Sequence, residues 1–578
     1  MQVESPNFVK SIRPKIRISR TIGLIIFLTF FGLTSIRPQL NRTNSASLTA
    51  DLTFTKSGLV VEVKPGLNDA LQVMVNGIVI TPVSRYQQQQ KTVLCLWTYT
   101  WQPRQTYRVE IRKVSDQTLM AEQRAKSPAK PAPYQFQTLR LSRIWPSLPT
   151  NCRSTTISVA GNRIAIGTNG GHVAVWDLQT SAVIWKKRFP ESIIKQVELD
   201  QEGQWVYISQ QSADAWLFCY QITNPGKPTW QYRLADDIES STPTDPDAQW
   251  AWLQLPTASK FTLFEDDLIV AGVHVWPDSD QTNVKSQLYR FEAKTGKLKW
   301  RFPSDQPLPL FIRWFDVSPS NVAFVCDKQS LLYTTKSDKS TDLIPPGSLV
   351  VLGLENGQKQ WQHTFQPLAP DFQRVTFWRG VSISPDGTYI NITTDDGRAF
   401  IFQQNNLIWQ KELTTPIEVS GMSITATAGT VAATEQFSIF VTGDTFVPYH
   451  LQTGVSRPPM AHPNGLTLFA YQWNQQSAWQ WPLENMPQGL SVQGQFAIIA
   501  TASYGESSAN GQEKPNAISV FDLKKTGDAL DKYAYTYRVG GPILYDQLAV
   551  STRWIVCVET ESKSDEQPKG KNQIHIIQ

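Results

Sequence analysis

An apolar strand, a polar turn and a second strand carrying tryptophan recur along this chain, and no other feature limits its fold as much. Val175-Trp176-Asp177-Leu178 turns at Gln179-Thr180-Ser181 and reaches Trp185; Leu288-Tyr289-Arg290-Phe291 turns at Thr295-Gly296 and reaches Trp300. Leu349 to Leu352 turns at Asn356-Gly357 and reaches Trp361. Looser copies run from Leu217 to Trp230, Ala399 to Trp409, Leu468 to Trp479 and Trp481, and Ile518 to Tyr535, making seven strand pairs between about residues 151 and 540. A unit repeated every ~40–60 residues cannot bury its own hydrophobic face and must stack on its neighbours. The expected fold is all-β, a propeller.

An eighth unit is split between the two ends of this region. Leu548 to Ser551, Trp554 to Val558 and Ile574 to Ile577 read as strands without a tryptophan-bearing outer partner. Leu139 to Trp145 is expected to supply that strand, because closing a ring with both chain ends removes free sheet edges. Eight blades are expected, with seven as the alternative, since the units near residues 240–260 and 420–465 carry long inserts. Ser384-Pro385-Asp386-Gly387 and Asp395-Asp396-Gly397 sit between strands as hairpin turns, proline presetting one corner and glycine supplying positive φ. Trp145, Trp185, Trp230, Trp300, Trp361, Trp409 and Trp481 are expected to pack between blades, a use that fits 20 tryptophans in 578 residues.

The net charge of +5 does not describe the folded part. Lys10, Arg13, Lys15, Arg17 and Arg20 face only Glu4 in the first 20 residues, which leaves 49 basic against 48 acidic residues elsewhere. No basic field for nucleic acid is implied. Cys95, Cys152, Cys219, Cys326 and Cys557 are far apart, with no Cys-x-x-Cys pair; buried free thiols are expected, one long-range disulfide being the alternative.

Residues 22–36 form the one long apolar run, behind a basic region at 1–21. Fifteen helical residues span roughly 22 Å, short of a ~30 Å hydrocarbon core, which suits a cleaved signal peptide. Ile36-Arg37-Pro38 offers no small-residue cleavage site, and Arg20 and Arg37 can snorkel at either face, which suits a transmembrane signal anchor. The anchor is the expected state. Under either, the preceding positive charge keeps the N-terminus in the cytoplasm and sends the rest outside, periplasmic or on the cell surface.

Residues 51–125 read as a separate β-sandwich of immunoglobulin-like type, with strands at Gly58–Pro65, Leu71–Ile80, Leu94–Trp101 and Tyr107–Arg112 and a hairpin signal at Asn76-Gly77. Residues 126–137 are a stiff Pro-rich linker, and 138–578 the propeller.

The Ala-x-Thr-Gly-x-x-x-Trp run at Ala293 to Trp300 resembles the repeats of pyrroloquinoline-quinone-type propellers, and Trp176-Asp177 adds a secondary likeness to WD40 repeats. The resemblance implies either a periplasmic quinoprotein dehydrogenase or a non-enzymatic envelope scaffold. The dehydrogenase branch resembles a site with adjacent cysteines and a Ca²⁺ held by acidic side chains; no two cysteines here are neighbours. The acidic pairs Asp266-Asp267 and Asp395-Asp396 sit at turns and are expected to be solvated. The six histidines show no zinc spacing and no nucleophile signature, and Gly167 to Gly171 reads as a hairpin turn, lacking the Lys-Ser/Thr and helix of a phosphate loop.

No catalytic, cofactor-binding or metal residue is therefore expected, and no cofactor. The acidic, Pro-rich insert from Asp236 to Ala258 carries Trp250 and Trp252, candidates for partner contact that could instead tuck onto the ring. The function expected is a membrane-tethered scaffold binding envelope proteins. The alternative is a quinone- or sugar-dependent enzyme with its site in the propeller channel.

Overall fold

Alternating burial along each strand builds the first module. In the computed structural model, Leu71, Val73 and Val75 face inward while Gln72 and Met74 are half-exposed. Residues 49–578 are described except 56–57, 65–70, 81–83, 89–90, 97–103, 128–135, 150–151, 244–250, 279–280, 329–346, 369–374, 420–421, 447–461, 474–476, 484, 503–515, 525–532 and 564–567. The apolar run at 22–36 lies outside the described residues; among those described, no helix is long and apolar enough to cross a membrane.

Eight strands form two sheets: β1 (Thr49–Thr55), β2 (Gly58–Lys64), β3 (Leu71–Val75), β4 (Ile78–Ile80), β5 (Ser84–Gln88), β6 (Lys91–Leu96), β7 (Thr106–Lys113) and β8 (Leu119–Lys126). Their orders are β1-β2-β6-β5 and β4-β3-β7-β8, all antiparallel. Val61, Val63 and Leu94 of one sheet share a core with Val73, Val109 and Ile111 of the other. Asn76 and Gly77 both take positive φ, as a two-residue hairpin turn requires, and Asn76 Oδ1 accepts the Arg108 amide at 2.9 Å. Ser127 is tied back to Gln105 at 2.7 and 3.0 Å, so the chain leaves this module just after β8.

The rest of the described chain is all-β, in antiparallel sheets consistent with a propeller. Eight sets follow one another, seven of four strands and one of five, with innermost long strands Ser154–Ala160, Ile193–Leu199, Thr257–Phe264, Phe311–Val317, Val381–Ile383, Met422–Ala433 (preceded in its sheet by Ile417–Val419), Pro487–Gln493 and Ile543–Val550, called the opening strands below. The second and third sets join through the single pair Gln211–Thr257. The opening strand of each set packs on that of the next, and the eighth returns to the first. The eighth takes its outer strand from β9 (Phe136–Arg140), paired with Gln573–Ile577. The expected split unit is present.

Trp145 differs from expectation. The strand stops at Arg140, a four-residue helical turn (Leu141–Ile144) follows, and Trp145 ends it rather than lying on a strand. It is still buried, among Leu139, Ile144 and Trp176, where the eighth sheet meets the first.

Two devices hold neighbouring sheets together. At the outer side, tryptophan of one sheet packs on the third strand of the next: Trp185 on Tyr220 (5.3 Å), Trp230 on Phe291 (5.9 Å), Trp361 on Phe402 (5.7 Å), Trp409 on Tyr471 (5.0 Å) and Trp481 on Phe521 (6.1 Å). Trp300 packs beside Leu352 and Leu354. Trp230 and Trp300 also donate Nε1–H to the carbonyls of Ala293 (2.7 Å) and Leu354 (2.8 Å) in the next sheet's turn. Both rings rest on a glycine of that turn: a Cβ on Gly296 would lie 2.5 Å from Trp230, and one on Gly357 2.6 Å from Trp300. The two glycines have φ of +71° and +66°, which side-chain-bearing residues rarely adopt.

At the inner side, opening strands present unpaired edges, and at several junctions side chains from the preceding sheet satisfy them. Thr156 Oγ1 accepts Val197 N, Ser158 Oγ accepts Leu199 N, Gln196 Oε1 accepts Phe261 N, Glu198 Oε1 accepts Leu263 N, and Asp316 Oδ2 accepts Ile383 N, all at 2.8–3.2 Å. Gln547 Nε2 donates to Ser154 O across the closing junction.

Trp300→Ala removes a ring seated between the third and fourth sheets and should lower unfolding free energy by about 3–5 kcal/mol. Gly357→Ala keeps the ring but drives a methyl into it, and should cost about 1–3 kcal/mol. Denaturant midpoints measure both; a Gly357→Ala protein as stable as the parent would show that the ring does not rest on this turn.

Candidate functional site

Charged residues interrupt the opening strands, where they face the ring axis rather than the core. Lys195, Gln196 and Glu198 come from the second sheet, Lys260 from the third, Trp314 and Asp316 from the fourth, and Tyr545 and Asp546 from the eighth. Trp378 and Arg379 stand just ahead of the fifth sheet's opening strand. Arg379 Nη2 pairs with Asp546 Oδ1 at 2.6 Å, joining residues 167 apart in sequence and three sheets apart in the ring. Beside them Trp378 meets Tyr545 edge-on at 5.0 Å. Two cations lie over the Trp314 ring, Lys260 Nζ at 4.1 Å and the Arg379 guanidinium at 4.9 Å.

The segment carrying Trp378 and Arg379 is pinned from below. The Phe377 amide donates to Asp327 Oδ2 at 3.2 Å, and Arg313 Nε holds the same carboxylate at 2.9 and 2.8 Å. Thr376 Oγ1 donates to Asp395, whose other oxygen has no partner among the described residues. Burial pushes the Asp395 carboxyl up to about 6, against the Thr376 hydrogen bond and Arg313.

Enclosure by protein governs ionisation along the axis. It pushes Glu198 up to about 7, the Leu263 amide and Lys260 opposing. It lowers Lys260 to about 8, with Asp316 and Glu198 opposing. Lys195 is also lowered by burial; Asp546 opposes the shift and Arg379 adds to it. The Lys195 ammonium makes no hydrogen bond or ion pair among the described residues. Asp316 is already taken by Ser382 Oγ and Ile383 N, both at 2.9 Å. Three cations, Lys195, Lys260 and Arg379, thus face three acids, of which Asp316 is already engaged and Glu198 holds its proton up to about pH 7; the cations are left short of charged partners, an arrangement suited to holding an anionic group. Among the described residues no group of three His, Cys, Asp or Glu side chains could hold a metal.

Several residues singled out in the sequence lie elsewhere. Trp185, Trp230, Trp300 and Trp481 are buried between sheets, and Trp361 and Trp409 half-buried there. Trp250 is outside the described residues; Trp252 is half-buried, its carbonyl accepting Gln211 Nε2 at 2.8 Å. The insert is clamped at its base by buried His274, which reaches Ile238 O at 3.0 Å and Ser241 Oγ at 2.7 Å.

Asp266 is an exposed turn residue as expected, but the other members of the acidic pairs are not solvated. Asp267 is buried in an ion pair with Arg290 and Lys299, both at 2.5 Å, and Asp396 is buried beside Arg398 at 2.6 Å. His575 is likewise engaged, between Tyr537 OH at 2.8 Å and Glu559 at 2.6 Å. Cys152, Cys219, Cys326 and Cys557 are free and buried, and burial pushes the Cys219 and Cys326 thiols up to about 12. The Cys95 side chain falls outside the described residues. A separate small apolar cleft lies between the seventh and eighth sheets, lined by Phe496, Ile498, Val520, Trp554, Ile555 and Ile577 with Arg553 at its side.

The axial residues could not be assembled from sequence, because five different sheets contribute them. The one available signal was charge inside an apolar strand, as in Ile193-Ile194-Lys195-Gln196-Val197-Glu198-Leu199.

Residues 202–454 match the family model described as outer membrane protein assembly factor BamB, and the quinoprotein-type resemblance holds over that stretch. No curated protein matches the chain significantly. Among solved structures, the quinohemoprotein alcohol dehydrogenase from Comamonas testosteroni is similar over 77% of this chain and 76% of its own, at 12% identity and a TM-score of 0.44. A europium-containing methanol dehydrogenase is similar over 76% and 94%, at 10% identity and 0.43. Saccharomyces cerevisiae Sqt1 is similar over 74% and 95%, at 10% identity and 0.42. Likenesses of this size carry no argument about activity.

Between pH 4.5 and about 7 folded Glu198 keeps a proton that the unfolded chain has released, so raising pH through this window costs stability. The loss is complete above that window. Glu198→Gln should therefore gain on the parent protein in urea midpoint from pH 5 to pH 7.5; a constant gap would mean that Glu198 is charged throughout.

Proposed function

We propose that this protein is a membrane-tethered, extracytoplasmic propeller of eight blades, carried on an immunoglobulin-like sandwich, that acts as a protein-interaction scaffold in the cell envelope. The observation that carries this reading is the match of residues 202–454 to a family described as an outer-membrane assembly factor. Eight opening strands packing in a closed cycle support the blade number. The sandwich order β1-β2-β6-β5 over β4-β3-β7-β8 supports the immunoglobulin label, because it follows the A-B-E-D and C-F-G sheets with one added strand. The basic stretch and apolar run at 1–36 support the tether and the outward orientation.

The polar groups converging around Trp314 favour a second reading, an enzyme or binding protein with a ligand in the channel. A quinone with its Ca²⁺ fits these residues poorly. No two cysteines are adjacent, no described acidic cluster suits a metal, and the Arg379–Asp546 and Trp378–Tyr545 contacts cross the axis beside the Trp314 ring. The scaffold is the better account.

Cells producing tagged full-length protein, crosslinked and fractionated, should yield it in membranes together with a reproducible envelope protein. A control carrying residues 1–50 on an unrelated domain should not recover that partner. Recovery of the same proteins by the control removes the scaffold reading. Quenching of tryptophan fluorescence by pyrroloquinoline quinone at micromolar concentration would favour the second.

A further inference from the structure

Arg379 and Asp546 pair although each sits in a left-handed backbone conformation, with φ of +51° and +62°. Such conformations are unfavourable for side-chain-bearing residues and persist where surrounding structure enforces them. Arg379 is held by its pinned neighbours Thr376 and Phe377. Asp546 is held differently. It lies on a bulge: Ile543 pairs with Glu559 and Leu548 with Cys557, leaving residues 544–547 out of register. Bulges re-aim single side chains, and this one aims a carboxylate at a fixed guanidinium.

Exposure divides the pair. The Asp546 side chain is 41% exposed and Arg379 14%, so the acid stands on the solvent side of the cation. Trp378 is 43% exposed beside it and offers an aromatic face at the same opening. Close to both, Lys195 is half-buried and makes no hydrogen bond or ion pair among the described residues, with the Asp546 carboxylate and the Arg379 guanidinium as the charges that act on it.

We propose that the axial opening formed by Lys195, Trp378, Arg379 and Asp546 docks an acidic, extended segment of a partner protein, whose carboxylate displaces Asp546 from Arg379 and reaches Lys195. This rests on the scaffold reading. Asp546 then serves as a resident carboxylate that occupies the site in the free protein and competes with the incoming one. Charge complementarity selects the acid, and Trp378 and Tyr545 flank the opening for an apolar neighbour in the segment.

Full-length protein in detergent micelles should bind a hexapeptide carrying two adjacent glutamates and a phenylalanine, measured by calorimetry, and not the same peptide with glutamines. Binding should weaken with salt. Lys195→Met should weaken it about tenfold or more, while Asp546→Asn, which removes the competitor, should tighten it several-fold. A misfolded variant cannot produce that gain. Equal binding of both peptides, no gain with Asp546→Asn, or binding of free glutarate without the peptide would each overturn the proposal. In crosslinked cells, a partner recovered by the parent protein and equally by Lys195→Met discards this site and leaves the scaffold. No partner for the parent itself removes the scaffold reading instead.

Discussion

A tryptophan seated on a glycine of the neighbouring sheet is the contact on which the ring depends. Trp230 over Gly296 and Trp300 over Gly357 combine a large buried face with a hydrogen bond from the ring nitrogen to the turn's backbone. The turn must approach closely, which requires glycine, and the outer strand must end in a side chain wide enough to bridge two sheets. Where the ring does not rest on a glycine, it still packs on the next sheet's third strand, as Trp185 does on Tyr220. Trp185 then leaves its Nε1 buried without a partner, so the hydrogen bond belongs to the glycine form of the contact.

The inner edge poses the opposite problem. Opening strands crowd around an axis with no further strand to pair with, so their amides need acceptors from side chains. Threonine, serine, glutamine and carboxylates supply them, which is why polar residues interrupt otherwise apolar strands there. Once polar side chains line the axis, burial shifts their ionisation, and charges from distant sheets come within reach of one another. The Lys195–Arg379–Asp546 cluster stands among these sealing side chains.

The hairpins were legible because each carries its own signals. Asp177 Oδ1 accepts the Thr180 amide at 2.7 Å and Asp386 Oδ1 accepts Thr388 N at 3.0 Å, so the turns are written locally in side chains beside the strands they connect. Pairing of the two ends was legible too, from an eighth unit lacking its outer strand. Trp145 was misplaced because a tryptophan following an apolar run looks the same whether the chain stays extended or makes one helical turn. The acidic pairs misled for a related reason: Asp267 and Asp396 look like turn residues until Arg290 and Arg398 are brought against them.

The repeat, the all-β class, the turns and the tryptophans that join sheets are encoded locally, since each depends on residues within a few positions of one another. What faces the axis is set by the closed ring. Lys195, Arg379 and Asp546 are separated by more than a hundred residues at each step and acquire a shared electrostatic environment only when the ring closes. Local chemistry encodes the blades; the geometry of closure creates the site, because a charge means little until burial and its neighbours give it a partner.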